Sequence, residues 1–148
     1  MKALTIHQPF ALALATGLKQ YETRPRRTNH RGKFGIHAGL HVDEESLGRL
    51  INAGIPLDEH VERPLSRRWS VLTAEDLPTG CIVAIGEITD CIEMTEEFIA
   101  QQSPQEIALG GWEVGRFAYK IENVERLDQP IPARGKQGMW DWDETSEV

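Results

Sequence analysis

Lys19, Glu22 and Arg24 fall together in the run from Gly17 to Arg24 of this 148-residue chain. Two cations around one carboxylate offer donors and an acceptor in one place, the mixture that a nucleobase edge beside a phosphate demands. In an extended segment, side chains two apart share a face, so Glu22 and Arg24 are expected on the same side. Lys19 precedes them where a helix is expected to end, and it reaches toward the same space. The alternative is a surface ion pair between Glu22 and Arg24 or Lys19, which contributes little. Spacing alone leaves both open. Beside Arg24 in a partly desolvated cleft, Lys19 would lose proton affinity and could serve as base or nucleophile. Glu22 acts the other way and keeps Lys19 charged, which suits phosphate or carbonyl binding. Binding is the favoured expectation, with catalysis by Lys19 and Glu22 as the alternative.

Charge distribution permits an anionic ligand at this place. The net charge is −7, yet Lys19, Arg24, Arg26, Arg27, Arg31 and Lys33 crowd one window that holds Glu22 as its sole acid. A basic window on an acidic body focuses anions locally; a solvated basic loop is the plain alternative. The two cysteines, Cys81 and Cys91, lack zinc-type spacing and sit among Ile and Val, so buried free thiols are expected. No His, Asp and Glu cluster has ligand spacing, so neither a metal nor a cofactor is expected. No stretch is long enough to cross a bilayer, and the apolar run Pro9 to Ala15 follows an extended segment and lacks a cleavage-type ending, so no signal peptide is expected. A cytoplasmic protein without a membrane partner is the expectation.

The elements that must position these residues follow from periodicity. Met1 to Ile6 reads as a strand, and Phe10, Leu14 and Leu18 recur at helical spacing after Pro9, with Gly17 as the stop. Tyr21 to Arg24 and Gly32 to Ala38 read as strands. Asp43 caps a second helix bearing Leu47, Leu50 and Ile51, which closes near Gly54. Residues 55–79 show no periodicity and read as an excursion with weak turns. Cys81 to Ile92 is the strongest strand signal. Thr95 to Leu109 reads as helical with a break at Pro104, Phe117 to Leu127 as a strand, and Pro130 to Trp142 as an extended closing segment. The acidic end from Asp143 is expected to fray. Strands with short helices between them imply a small α+β barrel, and no Gly-rich strand-to-helix turn supports a dinucleotide or P-loop site.

Other residues compete for a role. His37, like His7, sits beside a strand end, where a structural hydrogen bond is the usual use and acid–base work the rarer one. Lys136 and Gln137 precede Trp140, which either stacks a base or plugs the bottom of the barrel. Trp112, flanked by Gly110 and Gly111, reads as part of a flexible loop that could act as a lid.

The pattern Gly17-x-Lys19-x-x-Glu22-x-Arg24 resembles the signature of the ASCH domain, a relative of the PUA-type RNA-binding barrels. Other segments resemble that family in the same order. They are His7-Gln8-Pro9-Phe10, with Phe for the usual Trp, then His30-Arg31-Gly32 and Ile36-His37-Ala38. Pro78-x-Gly80 precedes the Cys81 strand, and Pro132-x-Arg134-Gly135-x-Gln137-Gly138-x-Trp140 closes the set. The likeness runs from residue 3 to about residue 142. It implies a single ASCH domain over residues 1–148, folded as a small PUA-like β-barrel with a cleft lined by the Gly17–Arg24 turn. It also implies binding of RNA or a nucleotide, with Lys19, Arg24, Arg31 and Lys136 on phosphates, Glu22 or Gln137 on a base edge, and His37 and Trp140 nearby. Some short members hydrolyse acetylated cytidine, and ribonuclease activity occurs in the family. The first group carries Thr where this chain has Glu22. A hydrolase on a modified nucleoside or RNA therefore stands as the alternative function, and a protein-interaction module as a third.

Overall fold

The computed structural model describes residues 1–144 and consists of one six-stranded mixed sheet with four short helices. The strands are β1 (Lys2–Gln8), β2 (Tyr21–Arg24), β3 (Gly32–Val42), β4 (Cys81–Glu93), β5 (Phe117–Pro132) and β6 (Met139–Asp141). They lie in the order β2-β5-β4-β3-β1-β6. Only β1 and β3 run parallel; every other neighbouring pair is antiparallel.

The α+β class is as expected, but the sheet does not close into a barrel: β2 and β6 remain as separate edges. The physical reason lies in the edges. β6 is only three residues long and β2 only four, so neither offers enough ladder to pair across the gap. The sheet nevertheless curls strongly. Three register shifts interrupt the β4–β5 ladder, and such bulges bend a strand and increase its twist.

Helix α1 (Phe10–Ala15) fills the concave side and touches β1, β3, β4 and β5. Ala and Leu are the strongest helix formers, and a short helix that is apolar all round belongs in a core. Residues Ala11 to Ala15 are all buried. Of these, Ala11, Leu14 and Ala15 pack with Leu4, Ile6, Phe34, Ile36, Ala84, Ile88 and Ile121. The Gln8 side chain stands in for an N-terminal cap, accepting from the Leu12 N–H at 2.9 Å and donating to the Pro78 carbonyl at 2.8 Å. Gly17 ends the helix at φ 78°, a left-handed conformation that glycine adopts without penalty.

A second core forms where α2 (Glu44–Asn52) meets α1 and the 55–79 excursion: Leu47, Leu50, Ile55, Leu57, Leu72 and Leu77 pack with Leu12 and Leu109. That excursion contains three single 3-10 turns, at Asp58–His60, Leu65–Arg67 and Ala74–Asp76. The predicted break at Pro104 separates α3 (Glu96–Ala100) from α4 (Pro104–Ala108). On the opposite face of the sheet Ala3, Ile82, Ala133, Trp140 and Trp142 form a third cluster. Cys81 and Cys91 are buried free thiols. Among the described residues no helix is long and apolar enough to cross a membrane. The expected fraying beyond Glu144 lies outside the described residues.

Asp43 caps α2, accepting from the Ser46 N–H at 3.0 Å and the Ser46 hydroxyl at 2.8 Å. Those two bonds hold its carboxyl below the usual carboxylate range. Replacing it leaves first-turn donors without a partner. Asp43→Ala is expected to lower stability by about 1 kcal/mol, read from urea midpoints at neutral pH. An unchanged midpoint would contradict this role.

Candidate functional site

The gap left by the unclosed sheet is a cleft of about 1010 Å³. One wall comes from the α1 exit and β2, with Phe10, Lys19, Glu22 and Arg24; Leu109 to Gly111 add to it. Another comes from β1, β3 and the segment before β6, with Thr5, His37 and Ala133 to Gly138. Two backbone irregularities fall here, between Ile6 and Gln8 in the β1–β3 pairing and between Ile36 and His37 in the β3–β4 pairing. Bulges re-aim side chains in this way at sites where a sheet must do something other than pack.

Arg24 crosses the gap. Its Nε donates to Glu22 Oε2 at 2.8 Å, and its Nη2 donates to the Thr5 carbonyl at 2.9 Å. Strand β2 is separated from β1 by β5, β4 and β3 in the sheet, so this side chain joins what no backbone ladder joins. Glu22 is buried at 6% exposure, beside an Arg24 that is half-buried. A charged hydrogen bond between partly desolvated groups is stronger than its surface counterpart.

Lys19 is 2% exposed, the more demanding placement. Its Nζ donates to the Leu109 carbonyl at 2.6 Å and lies 5.9 Å from the centre of the Phe10 ring. Burial lowers its proton affinity below the ordinary lysine value, while Glu22 and then Glu106 oppose that and Arg24 adds to it. Glu106 is buried too, and burial raises its pKa. It accepts from the Gln20 N–H at 2.8 Å and the Tyr21 N–H at 3.4 Å, tying α4 to the chain just before and at the start of β2. No local pattern in the sequence marks Glu106; it reaches Lys19 only through packing of α4 against the α1 exit.

The loop after α4 is shaped for close approach. A side chain at Gly110 would meet Trp112 Nε1 at 2.9 Å and Lys19 Nζ at 3.1 Å. The loop is held by Gly111 N–H donating to Thr23 Oγ1 at 2.9 Å and by Arg116, whose Nε donates to the Gly111 carbonyl at 2.9 Å. Trp112 is anchored as well, its indole N–H donating to the Glu106 carbonyl at 2.8 Å while Tyr21 and Phe98 contact its ring. That anchoring fits a clasp and not the free lid expected from the flanking glycines.

On the other wall a hydrogen-bond chain fixes His37. Its Nε2 donates to the Ala133 carbonyl at 2.8 Å, because a carbonyl can only accept. In the neutral ring Nδ1 then accepts from Thr5 Oγ1 at 3.2 Å, and that hydroxyl accepts from the Trp140 indole at 2.9 Å. His37 is 2% exposed, and burial lowers its pKa against the opposing pull of Ala133.

Of the residues singled out from sequence, Lys19, Glu22, Arg24, His37, Lys136 and Gln137 all line the cleft. Arg31 does not. Its Nη1 donates to the Thr28 and His30 carbonyls, so it serves the exposed turn between β2 and β3. Trp140 is also outside the lining; it is buried at 8% exposure, with its ring edge-on to His37 at 5.4 Å. It packs in the third cluster with Ala3, Ile82, Ala133 and Trp142. The aromatic that does line the cleft is Phe10.

The ASCH domain family model matches residues 4–133. Activating signal cointegrator 1 of Mus musculus is 26% identical over 146 residues, which cover 95% of this chain and 22% of that protein. The Homo sapiens protein of the same name is 26% identical over 147 residues, with the same coverage. The chain thus spans under a quarter of the length of these curated relatives.

Two outcomes follow from the His37 wall. A side chain at Gly135 would sit 2.8 Å from His37 Nδ1 and 2.9 Å from Thr5 Oγ1. Gly135→Ala is therefore expected to cost about 1–3 kcal/mol of stability by overpacking; a urea midpoint equal to wild type would refute it. Because burial lowers His37's pKa, the unfolded chain takes up the proton first as pH falls. The stability held by neutral His37 is whole above about pH 6.5 and is lost as pH falls toward the folded value. Urea unfolding across that range should show a steeper acid loss for wild type than for His37→Gln; parallel curves would contradict the assignment.

Proposed function

The chain belongs to the ASCH domain family, and from that premise we propose that its cleft binds a single-stranded RNA segment or a nucleotide. The observation that carries this reading is the convergence of Lys19, Glu22 and Arg24 on one hollow whose other wall bears Arg134, Lys136 and Gln137. Four cations against Glu22 leave the lining with an excess of positive charge, on a chain that is acidic as a whole. Such a place attracts phosphate by field as well as by contact.

Each side chain has capacity left for a ligand. An ammonium has three donors, and Lys19 spends one on the Leu109 carbonyl. A guanidinium has five, and Arg24 spends Nε on Glu22 and Nη2 on the Thr5 carbonyl and the same Glu22 oxygen, which leaves the donors of Nη1. Glu22 accepts from Arg24 through Oε2, which leaves Oε1 for the amino group of a base. Phe10 supplies an apolar ring against which a base packs, in place of the stacking expected of Trp140. Lys136 and Gln137 are exposed at the mouth, within reach of a neighbouring phosphate and base edge.

A second reading, hydrolysis of a modified nucleoside, is favoured by the buried Lys19 beside Glu22, since desolvation readies an amine for attack or proton transfer. Incubation with acetylated cytidine would release acetate on that reading.

Binding through phosphate contacts releases counterions, with a slope of about −0.7 per contact for single strands. With Lys19, Arg24, Arg134 and Lys136 engaged, log affinity against log salt is expected to fall with a slope of about −2 to −3. Lys136→Ala should remove about 0.7 from that slope without moving the melting temperature, since the side chain is exposed. A wild-type protein whose titrations give no salt-sensitive affinity for single-stranded RNA would end this reading.

A further inference from the structure

Trp69 is 90% exposed, and Leu65 and Val71 beside it are 76% and 72% exposed. The other three tryptophans are held: Trp140 and Trp142 are buried, and Trp112 donates its indole N–H to Glu106. The exposure of Trp69 does not come from a slack segment. Arg63 reaches across the loop and donates to the Ser70 carbonyl at 2.5 Å and the Arg68 carbonyl at 3.1 Å. Arg67 holds Asp76 through Nε at 3.3 Å and Nη2 at 2.7 Å, while Asp76 also closes a capping box with Thr73. Leu72 then anchors the far end in the second core. The loop is thus built from both sides to keep an indole in water, at a cost that burying it would have avoided.

Its central stretch is basic. Arg63, Arg67 and Arg68 lie between residues 63 and 74, a stretch without an acid in a chain of net charge −7. Arg67 is neutralised by Asp76, but Arg68 is exposed beside Trp69 and has no ion pair among the described residues. A flat aromatic plate with both faces open, next to a free guanidinium, offers what a nucleotide needs: a surface for the base and a cation for its phosphate. A peptide helix would need a groove, whereas these three apolar side chains project from the loop. None of them lines the cleft.

We propose that the Arg63-braced loop is a second contact for single-stranded RNA, where a base stacks on Trp69 and a phosphate meets Arg68. The choice of ligand rests on the reading of the cleft as a nucleotide site. An oligomer long enough to touch both places gains affinity over a mononucleotide, because the second contact is made within one complex.

The test uses tryptophan fluorescence and two probes, oligouridylate and uridine monophosphate. Oligouridylate should quench the solvent-exposed emission of Trp69. Trp69→Ala should weaken oligomer binding about 5- to 150-fold, the range that loss of one stacked base produces. It should leave mononucleotide affinity and the melting temperature unchanged, because the side chain packs on little. Trp69→Phe should retain most of the oligomer affinity. Equal oligomer affinity in wild type and Trp69→Ala would overturn the proposal, as would quenching by an acidic amphipathic peptide but not by the oligomer. Lys19→Ala separates the two sites. Lost mononucleotide binding with a persistent Trp69-dependent contribution to oligomer binding supports both. If mononucleotide never binds while Trp69-dependent oligomer binding persists, the cleft reading falls and the loop stands.

Discussion

Arg24 links two strands of the sheet that no backbone ladder joins directly. Its guanidinium stands between Glu22 on its own strand and the Thr5 carbonyl on β1. Had β2 and β1 paired directly, the space between them would be filled by ladder hydrogen bonds and neighbouring side chains. Because one side chain makes the connection, the two walls stay close while a hollow of about 1010 Å³ remains. The curl imposed by the β4–β5 bulges brings the edges near; the shortness of β2 and β6 stops them from joining. The cleft is a consequence of incomplete closure.

That hollow is lined at a cost. Lys19 and Glu22 are nearly removed from water, and burying charge is unfavourable unless each group is paired and hydrogen-bonded. The arrangement meets that condition with few parts. Lys19 has the Leu109 carbonyl and the field of two carboxylates, Glu22 has Arg24, and Glu106 has the N–H groups of Gln20 and Tyr21. No buried side-chain nitrogen or oxygen among the described residues is left without a partner. An apolar lining would serve stability as well; on the proposed reading, the buried charges serve a polar ligand.

Much of this was legible in the residues themselves. Alternation predicted that Glu22 and Arg24 share a side, and the Gly17 stop predicted that Lys19 leaves the helix toward them. Helix α1, the Asp43 cap, the break at Pro104 and the long strand from Cys81 are all local signals, and all are present. What sequence reasoning missed is long-range. Glu106 and the Leu109 carbonyl meet Lys19 across more than eighty residues, through packing that no local period encodes. Closure of the barrel depends on how far the sheet curls, which is set by bulges spread over two long strands. Arg31 was drawn into the site by the charge of its neighbourhood, yet its own turn absorbs it. For Trp140 two uses were open; its burial and its indole bond to Thr5 are long-range contacts that no local pattern shows.

Lys19 is buried at the cleft wall, and on the proposed reading it is a desolvated cation turned to a hollow that takes an anion. Following the ¹⁵Nζ resonance of Lys19 through a pH titration, with and without nucleotide, tests it most directly. The account predicts a titration midpoint below that of an ordinary lysine, because burial outweighs the two carboxylates, and a rise when a phosphate occupies the cleft. A midpoint at the ordinary lysine value that nucleotide leaves unmoved would contradict it.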